Sequence, residues 1–363
     1  MTTVALMANT LHYPQGGGHR WAFLNWALGF RSIGCDVLWL EWEDAHPSHG
    51  NRRDWVTALV RQLEPYGLTD RVVVLGAGMD VESVAGRADV LVNFLYGLPA
   101  DLVHRFRRSV LVDIDPGLLQ TWMAQDALAV AAHDLYFSIG ETVGTTAALF
   151  PDAGRRWTHT PPCVSLEAWP TSLASPDAPF TTITHWSGAE YVKDGAGWYL
   201  NDKRSGFLPF LDLPRHVDQG LEVAVFLAES EDPTELEATG WRVRHSLDVA
   251  STPWDYQSFI RASRGEFSCA KPSYPKLQTA WISDRTLCYL ASGRPAVVQD
   301  TGPSRILPDA CGLLRFRDLP GAVRGLRDAD ENHAYHARAA RALVEEHFDA
   351  RRVTRAMLER ALD

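Results

Sequence analysis

Three short stretches of this chain combine residue types that could do chemistry. In SVLVDIDPG, Asp113 and Asp115 end an apolar run, and Pro116-Gly117 stops it, so both carboxylates stand at the carboxyl end of an expected strand. An Asp-x-Asp pair can hold a divalent metal, accept hydrogen bonds from a polyhydroxylated ligand, take a proton as general base, or merely cap a turn. Hard cations want several oxygens, and no third ligand cluster accompanies the pair. No metal is therefore expected, and Asp115 is a candidate base.

The second stretch is NTLHYPQGGGHRW, which follows the run TVALMA. Gly16, Gly17 and Gly18 let the backbone approach a ligand closely, and the helix expected from about His19 to Ser32 points free N–H groups at an anion, phosphate above all. His19 at that helix start is disfavoured as a cation by the dipole, which leaves it available as a base; the alternative is a histidine that caps or packs. A dinucleotide fingerprint fails here, because Trp21 stands where its third glycine belongs. Glu41 and Glu43 do lie near where a ribose-binding acid would be.

The third is SDRTLCYLASGRPAVVQDTG, residues 283–302. Ser283 suits an N-cap, Asp284 the first turn of a helix, and Arg285 adds a cation. If PAVVQD is a parallel strand, the helix starts on the rim where the strand finishes, so Ser283, Asp284 and Arg285 meet Asp300, Thr301 and Gly302. An acid for ribose hydroxyls beside N–H groups and an arginine for phosphates fits a nucleotide. Lys203-Arg204 and Lys271 are further cations at expected strand ends, though an exposed basic pair is also open for the former.

The elements that must position these groups alternate. TVALMA, DVLWLEW, RVVVLG, DVLVNFLY, SVLVDID and LYFSIG in the first half, and TTITHW, EVAVFLA, WRVRHSL, GEFSCA, PAVVQD and LLRF in the second, read as strands apolar on both faces, separated by helices or turns. That is the pattern of open α/β sheets. The stretch 161–179, with five prolines, reads as a crossover between domains. The expected organisation is a Rossmann-like domain over 1–165, a second over 180–340, and a helical tail over 341–363.

Composition narrows the classes. Of 363 residues, 46% are hydrophobic and 22% charged, which is globular, and a net charge of −10 argues against a nucleic-acid partner. Five cysteines without paired spacing read as reduced thiols. No secretory signal and no bilayer-spanning run are visible, so a cytoplasmic protein without a membrane partner is expected. His46-x-x-His49 and His333-x-x-His336 lack a third ligand and read as solvated. Trp186, Trp198, Trp254 and Trp281 fall in expected loops, where they suit sugars or flat rings but more simply pack in the core.

CYLASGRPAVVQDTG resembles the helix–strand–loop segment of GT-B fold glycosyltransferases, in which A-x-G-x-P-V-V precedes the loop that contacts the donor sugar, and GEFSCAK resembles the strand before their donor site. SDR…YLASGRP…QDTG together with DIDPG is similar to bacterial glycosyltransferase-like proteins. Cys288 stands where many such enzymes carry a ribose-binding Glu, with Asp284 one turn earlier. The resemblance implies two Rossmann-like domains facing across a cleft, with C-terminal helices packing back on the body. It also implies transfer of a sugar from a nucleoside diphosphate such as UDP to a small-molecule acceptor, for instance a natural product, with no cofactor. On that reading His19 or Asp115 deprotonates the acceptor and Asp113 contacts it. Gly16, Gly17, Gly18, Lys203, Arg204, Lys271, Ser283, Asp284, Arg285, Asp300, Thr301 and Gly302 bind the donor. A nicotinamide-dependent oxidoreductase or sugar epimerase, and a non-catalytic binding protein of GT-B shape, remain the rivals.

Overall fold

Apolar runs without alternation bury both faces, and here they pair into two wholly parallel sheets. The computed structural model describes residues 1–11, 13–43, 52–76, 81–188, 190–194, 197–227 and 233–363. Contacts divide the chain into two units, Met1–Ser165 with Phe348–Asp363, and Leu166–His347.

The first unit carries β1 (Thr3–Met7), β2 (Asp36–Trp42), β3 (Val72–Leu75), β4 (Val90–Asn93), β5 (Ser109–Asp113), β6 (Leu135–Ser138) and β7 (Trp157–His159) in the order β3-β2-β1-β4-β5-β6-β7. Val4, Ala5, Leu6 and Met7 have no exposed surface and every residue of β4 and β5 is buried, so these strands present no face to solvent. The second unit carries β8 (Phe180–His185), a hairpin of β9 (Tyr191–Asp194) and β10 (Gly197–Leu200), then β11 (Leu221–Phe226), β12 (Arg242–His245), β13 (Gly265–Ser268), β14 (Ala296–Gln299) and β15 (Leu313–Phe316). Its sheet runs β12-β11-β8-β13-β14-β15, with the antiparallel hairpin outside it.

Both sheets thus reverse strand order once, between β1 and β4 in the first unit and between β8 and β13 in the second. In an open α/β sheet the loops beyond the carboxyl ends on either side of that reversal splay apart and leave a crevice for a ligand. The hairpin and β7 have no counterpart among the strands read from the sequence; β7 is three residues long, and the four-residue β9 and β10 mix apolar residues with Lys193, Asp194 and Gly197.

The helical tail divides between the units. The His333–His347 helix belongs to the second, whereas the Ala350–Leu362 helix returns to the first and packs on the Gly17–Ser32 helix. Gly29 permits that approach: a Cβ there would stand 2.8 Å from the Ala350 carbonyl oxygen and 2.7 Å from the Thr354 methyl. Where the chain leaves and re-enters the first unit, Val164 donates to Phe348 O at 2.9 Å and Ala350 donates to Val164 O at 3.0 Å.

The proline-rich stretch is held by an arginine from the Ser-Gly-Arg-Pro stop. Arg294 is wholly buried, and its guanidinium donates to Ser172 O at 2.6 Å, Leu173 O at 3.2 Å and Arg261 O at 2.5 Å. Burial lowers its pKa to about 10. Arg294→Met keeps the stem but strands these carbonyls. The unfolding free energy of the second unit is expected to fall by about 1–3 kcal/mol in urea titrations, and an unchanged midpoint would contradict this role.

Candidate functional site

In the first unit, the loops flanking the strand reversal carry the glycine stretch after β1 and the segment Phe94–Pro99 after β4, with the Asp113–Asp115 turn beyond the neighbouring β5. The Gly17–Ser32 helix starts within the glycine triplet, has Gly16 as N-cap with no side-chain cap, and has no acid in its first turn. An anion is the natural complement of such a start. His19 bonds the Asn9 carbonyl through Nε2 at 2.7 Å. A carbonyl only accepts, so Nε2 carries the proton and any base chemistry falls to Nδ1. Its ring also meets Tyr13 and Phe23 edge-on at 5.0 and 5.1 Å.

The two aspartates occupy different environments. Asp113 has no exposed surface, and its Oδ2 accepts from Ser138 Oγ at 2.6 Å and Gln120 Nε2 at 2.8 Å. Burial raises its pKa to about 7, opposed by those hydrogen bonds. Such a raised value favours folding most below the unfolded carboxyl range, and the contribution is lost as pH rises through about 7. Expected to touch an acceptor, Asp113 instead lies behind Asp115, because strand alternation turns it inward against β6 and the Leu118–Ala124 helix. Asp115 is half-buried beyond the strand end. Tyr96 spans the pair, donating to Asp115 Oδ2 at 3.0 Å with Asp113 Oδ1 at 3.4 Å.

Glu41, at the end of β2, tests the dinucleotide reading. Its carboxylate accepts from the Thr10 hydroxyl, Thr10 N at 3.0 Å, Leu11 N at 3.3 Å and Trp39 Nε1 at 2.9 Å. Burial pushes its pKa up against those bonds. An acid so engaged clamps the loop after β1 and leaves no lone pair facing a ribose, which speaks against a nicotinamide cofactor held in the Rossmann manner. Glu43 is half-buried.

In the second unit the reversal lies between β8 and β13, and the segments beyond them bring three cations together. Lys203, which opens the Lys203–Phe207 helix, donates from Nζ to the Cys269 carbonyl just past β13 at 2.7 Å. Among the described residues no carboxylate pairs with it. Burial drives its pKa down to about 7, and the positive charges of Arg285 and Lys271 add to the effect. Lys271 pairs with Glu190 at 2.8 Å. Arg285 lies inside: Nε donates to Glu266 Oε1 at 2.7 Å, Nη1 to Ile183 O at 3.0 Å and Nη2 to Ser268 Oγ at 2.5 Å. Near these cations Asn201 Nδ2, Ser273 Oγ and Glu266 Oε2 are buried without partners. Unsatisfied polar groups beside surplus positive charge describe a cradle for a polar anion.

Ser283 caps the Asp284–Ala291 helix through Arg285 N at 3.3 Å, and Ser283, Arg285, Ser268, Gln299 and Thr301 line one narrow pocket. The helix start and the end of β14 therefore do share a rim. Asp284 has a raised pKa, chiefly from burial. Thr301 Oγ1 donates to Trp281 O at 2.5 Å. Gly302 has φ +125°, and a Cβ there would stand 2.7 Å from the Gln278 backbone, so the turn requires glycine.

Four readings change. Arg204 is not beside Lys203 at the cradle but forks onto Glu235, with Nη2 at 2.8 Å from its carboxylate. Asp300 does not face outward as a free acid; Arg315 at 3.2 Å and Arg317 at 2.5 Å hold it. His336 is buried and not solvated, with Nδ1 accepting from Gly312 N at 3.2 Å, while His333 Nε2 donates to Arg264 O at 2.8 Å. Trp186 is in the core, whereas Trp198 and Trp254 are exposed and Trp281 stacks on Tyr274 with centroids 4.1 Å apart. His46 and His49 lie outside the described residues. Sequence reasoning missed Tyr96, Gln120 and Ser138, and gave Glu266 no counter-ion role; nothing in their local spacing marks them. Among the described residues no group of three or more His, Cys, Asp or Glu could hold a metal, and no helix is long and apolar enough to cross a membrane.

No protein-family profile and no curated protein matches this chain. Solved structures do. Anabaena HepE in complex with UDP-glucose is 11% identical over 99% of both chains, with a TM-score of 0.62. An alpha-glucosyltransferase in complex with UDP and a mismatched 13-mer DNA is 12% identical over 100% of both, with a TM-score of 0.61. AviGT4, a glycosyltransferase involved in avilamycin A biosynthesis, is 14% identical over 99% of this chain and 97% of its own, with a TM-score of 0.51. These likenesses establish the fold: α/β, with two Rossmann-type sheets in the GT-B arrangement of strands.

Proposed function

We propose that this protein is a glycosyltransferase that moves a sugar from a nucleoside diphosphate to a hydroxyl-bearing small molecule, without a cofactor. The observation that carries this reading is Lys203, an amine of intermediate exposure without a carboxylate partner among the described residues, set at the strand reversal of the second sheet beside Arg285 and Lys271. A pyrophosphate supplies the missing charge, and its hydrogen-bond demand matches Asn201 and Ser273. Uridine diphosphate is the first nucleotide to test, since the similar folds of HepE and the alpha-glucosyltransferase were seen with UDP or UDP-glucose. One of those folds also holds DNA, which a chain of net charge −10 is poorly suited to do.

In this reading Lys203 and the Asn201–Ser273 cradle hold the leaving diphosphate, and Ser283 and Thr301 line the nucleotide side. Arg285 acts from behind, as a charge fixed by Glu266. In the first unit Asp115 takes the proton of the attacking hydroxyl. His19, whose Nε2 proton is committed to Asn9, orders the glycine loop.

Lys203→Met is expected to weaken UDP binding about 10–100-fold by calorimetry, the size of a lost charge-assisted bond. The sign of the pH dependence follows from the amine. Its pKa is lowered to about 7 in the free protein, and a bound diphosphate raises it. The complex then holds more protons than the free protein, so affinity falls as pH rises above about 7, and binding at pH 8 takes up a proton. Lys203→Met removes that uptake. Unaltered UDP affinity in the variant, or no binding by the wild type to any nucleoside diphosphate, defeats the reading.

A further inference from the structure

The Asp115 carboxylate is backed by a phenol whose hydrogen bonds admit one arrangement. Tyr96 sits on the loop after β4, at the strand reversal of the first sheet. Asn93 shapes that loop from the end of β4: its Oδ1 accepts from Leu95 N at 2.9 Å and its Nδ2 donates to Leu95 O at 3.0 Å. The Tyr96 hydroxyl then receives two backbone donors, Ile114 N at 2.9 Å and Asp115 N at 3.1 Å. The Ile114 N–H takes one lone pair and the Asp115 N–H, shared with Asp113 Oδ1 at 2.9 Å, leans on the other, so the hydroxyl is left to donate its own proton to a carboxylate. Among the described residues the acceptors in reach are Asp115 Oδ2 at 3.0 Å and, less well placed, Asp113 Oδ1 at 3.4 Å.

We propose that Tyr96 is the positioning residue of the acceptor-side base, orienting the Asp115 carboxylate and favouring its ionised form through a phenol obliged to donate. The inference deepens the glycosyltransferase reading and rests on it for the identity of the base. A donor aimed at one carboxylate oxygen stabilises the anion, fixes the plane of the group, and turns the other oxygen's lone pairs to a defined direction. Asp113 completes the unit from behind. Held by Ser138 and Gln120, it accepts from Asp115 N at 2.9 Å, so the turn carrying the base is fixed at its backbone and its side chain together. Burial and both carboxylates push the Tyr96 phenol up, so its proton stays on oxygen across the working pH range. Among the described residues Asp115 and then Asp113 are the charged groups that act on it most.

The test is Tyr96→Phe, which keeps the ring and deletes only the hydroxyl. With UDP-glucose as donor and water as acceptor, the rate of UDP release at saturation should fall about tenfold, with UDP affinity unchanged and the acidic limb of the pH–rate profile moved to higher pH. Tyr96→Phe should add nothing in an Asp115→Asn background, whereas a merely structural role would add there as it does alone. A carboxyl carbon-13 titration of the two aspartates needs no turnover: the Asp115 resonance should titrate at higher pH in Tyr96→Phe than in the wild type. An unmoved resonance, or additive losses in the double variant, overturns the inference while UDP binding by the wild type upholds the broader reading. Failure of the wild type to bind nucleotide defeats that reading instead, and the titration still decides whether Tyr96 governs Asp115.

Discussion

Asp115→Asn is expected to cut the turnover number by about 10²–10⁴-fold while leaving UDP affinity within a factor of two. The substitution is isosteric, and the amide oxygen can still accept the Tyr96 proton, so the turn between β5 and the Leu118–Ala124 helix keeps its shape. What is lost is the capacity to take a proton. A hydroxyl attacking a sugar carbon must shed its proton as the bond forms, and an amide cannot receive it. Binding of the diphosphate, assigned to Lys203, has no reason to change, and a fall in turnover without a fall in donor affinity is the signature of a group that acts in the transition state. His19→Ala supplies the contrast. With its Nε2 proton on Asn9 O, His19 is placed to hold the glycine loop, and its loss should cost less than tenfold in turnover. Steady-state kinetics on the two variants settle the assignment, since the reverse ranking would make His19 the base.

The strands that build both sheets were legible because parallel strands buried on two faces leave unbroken apolar runs, as TVALM and SVLVD do. The rim shared by Ser283 and Thr301 followed from topology, since a helix between parallel strands must start where the next strand ends. What stayed hidden was which charged groups pair with each other. Arg285 and Asp300 looked like ligand-binding residues because type and place along the chain were all that could be read. Their partners, Glu266 and Arg315, are 19 and 15 residues away and meet them only through strand order. Lys203 was marked for the same reason as Arg204, and three dimensions separated them: one faces the Cys269 carbonyl and the other Glu235. Tyr96 gave no signal at all. A tyrosine in VNFLYGLP reads as core, and its role depends on where β5 lies beside β4.

The Arg285–Glu266 pair also has the largest expected effect on stability. Glu266 has no exposed surface, and its Oε1 lies 2.7 Å from the Arg285 Nε, while Arg285 reaches across to the Ile183 carbonyl and the Ser268 hydroxyl. Glu266→Ala would leave a guanidinium in the sheet without its ion-pair partner and with Lys203 still nearby, and desolvating an unpaired ion costs far more than the pair contributes. A loss of about 3–5 kcal/mol in the unfolding of the second unit is expected, read from its chemical or thermal transition. Replacing both partners with apolar residues of similar size, Glu266→Leu with Arg285→Met, should restore most of that stability, because a buried pair is worth little against a well-packed alternative. The two variants then separate structure from function. If Arg285 serves only the fold, the stable double variant binds UDP as well as the wild type does. If its charge, fixed by Glu266, contributes field to the diphosphate cradle, the double variant folds and binds UDP more weakly, and the lowered pKa of Lys203 moves back up because the lost Arg285 cation acts on it more strongly than the lost Glu266 anion. A Glu266→Ala protein that unfolds at the wild-type midpoint would show that Arg285 finds other compensation and that the pair does not hold this sheet.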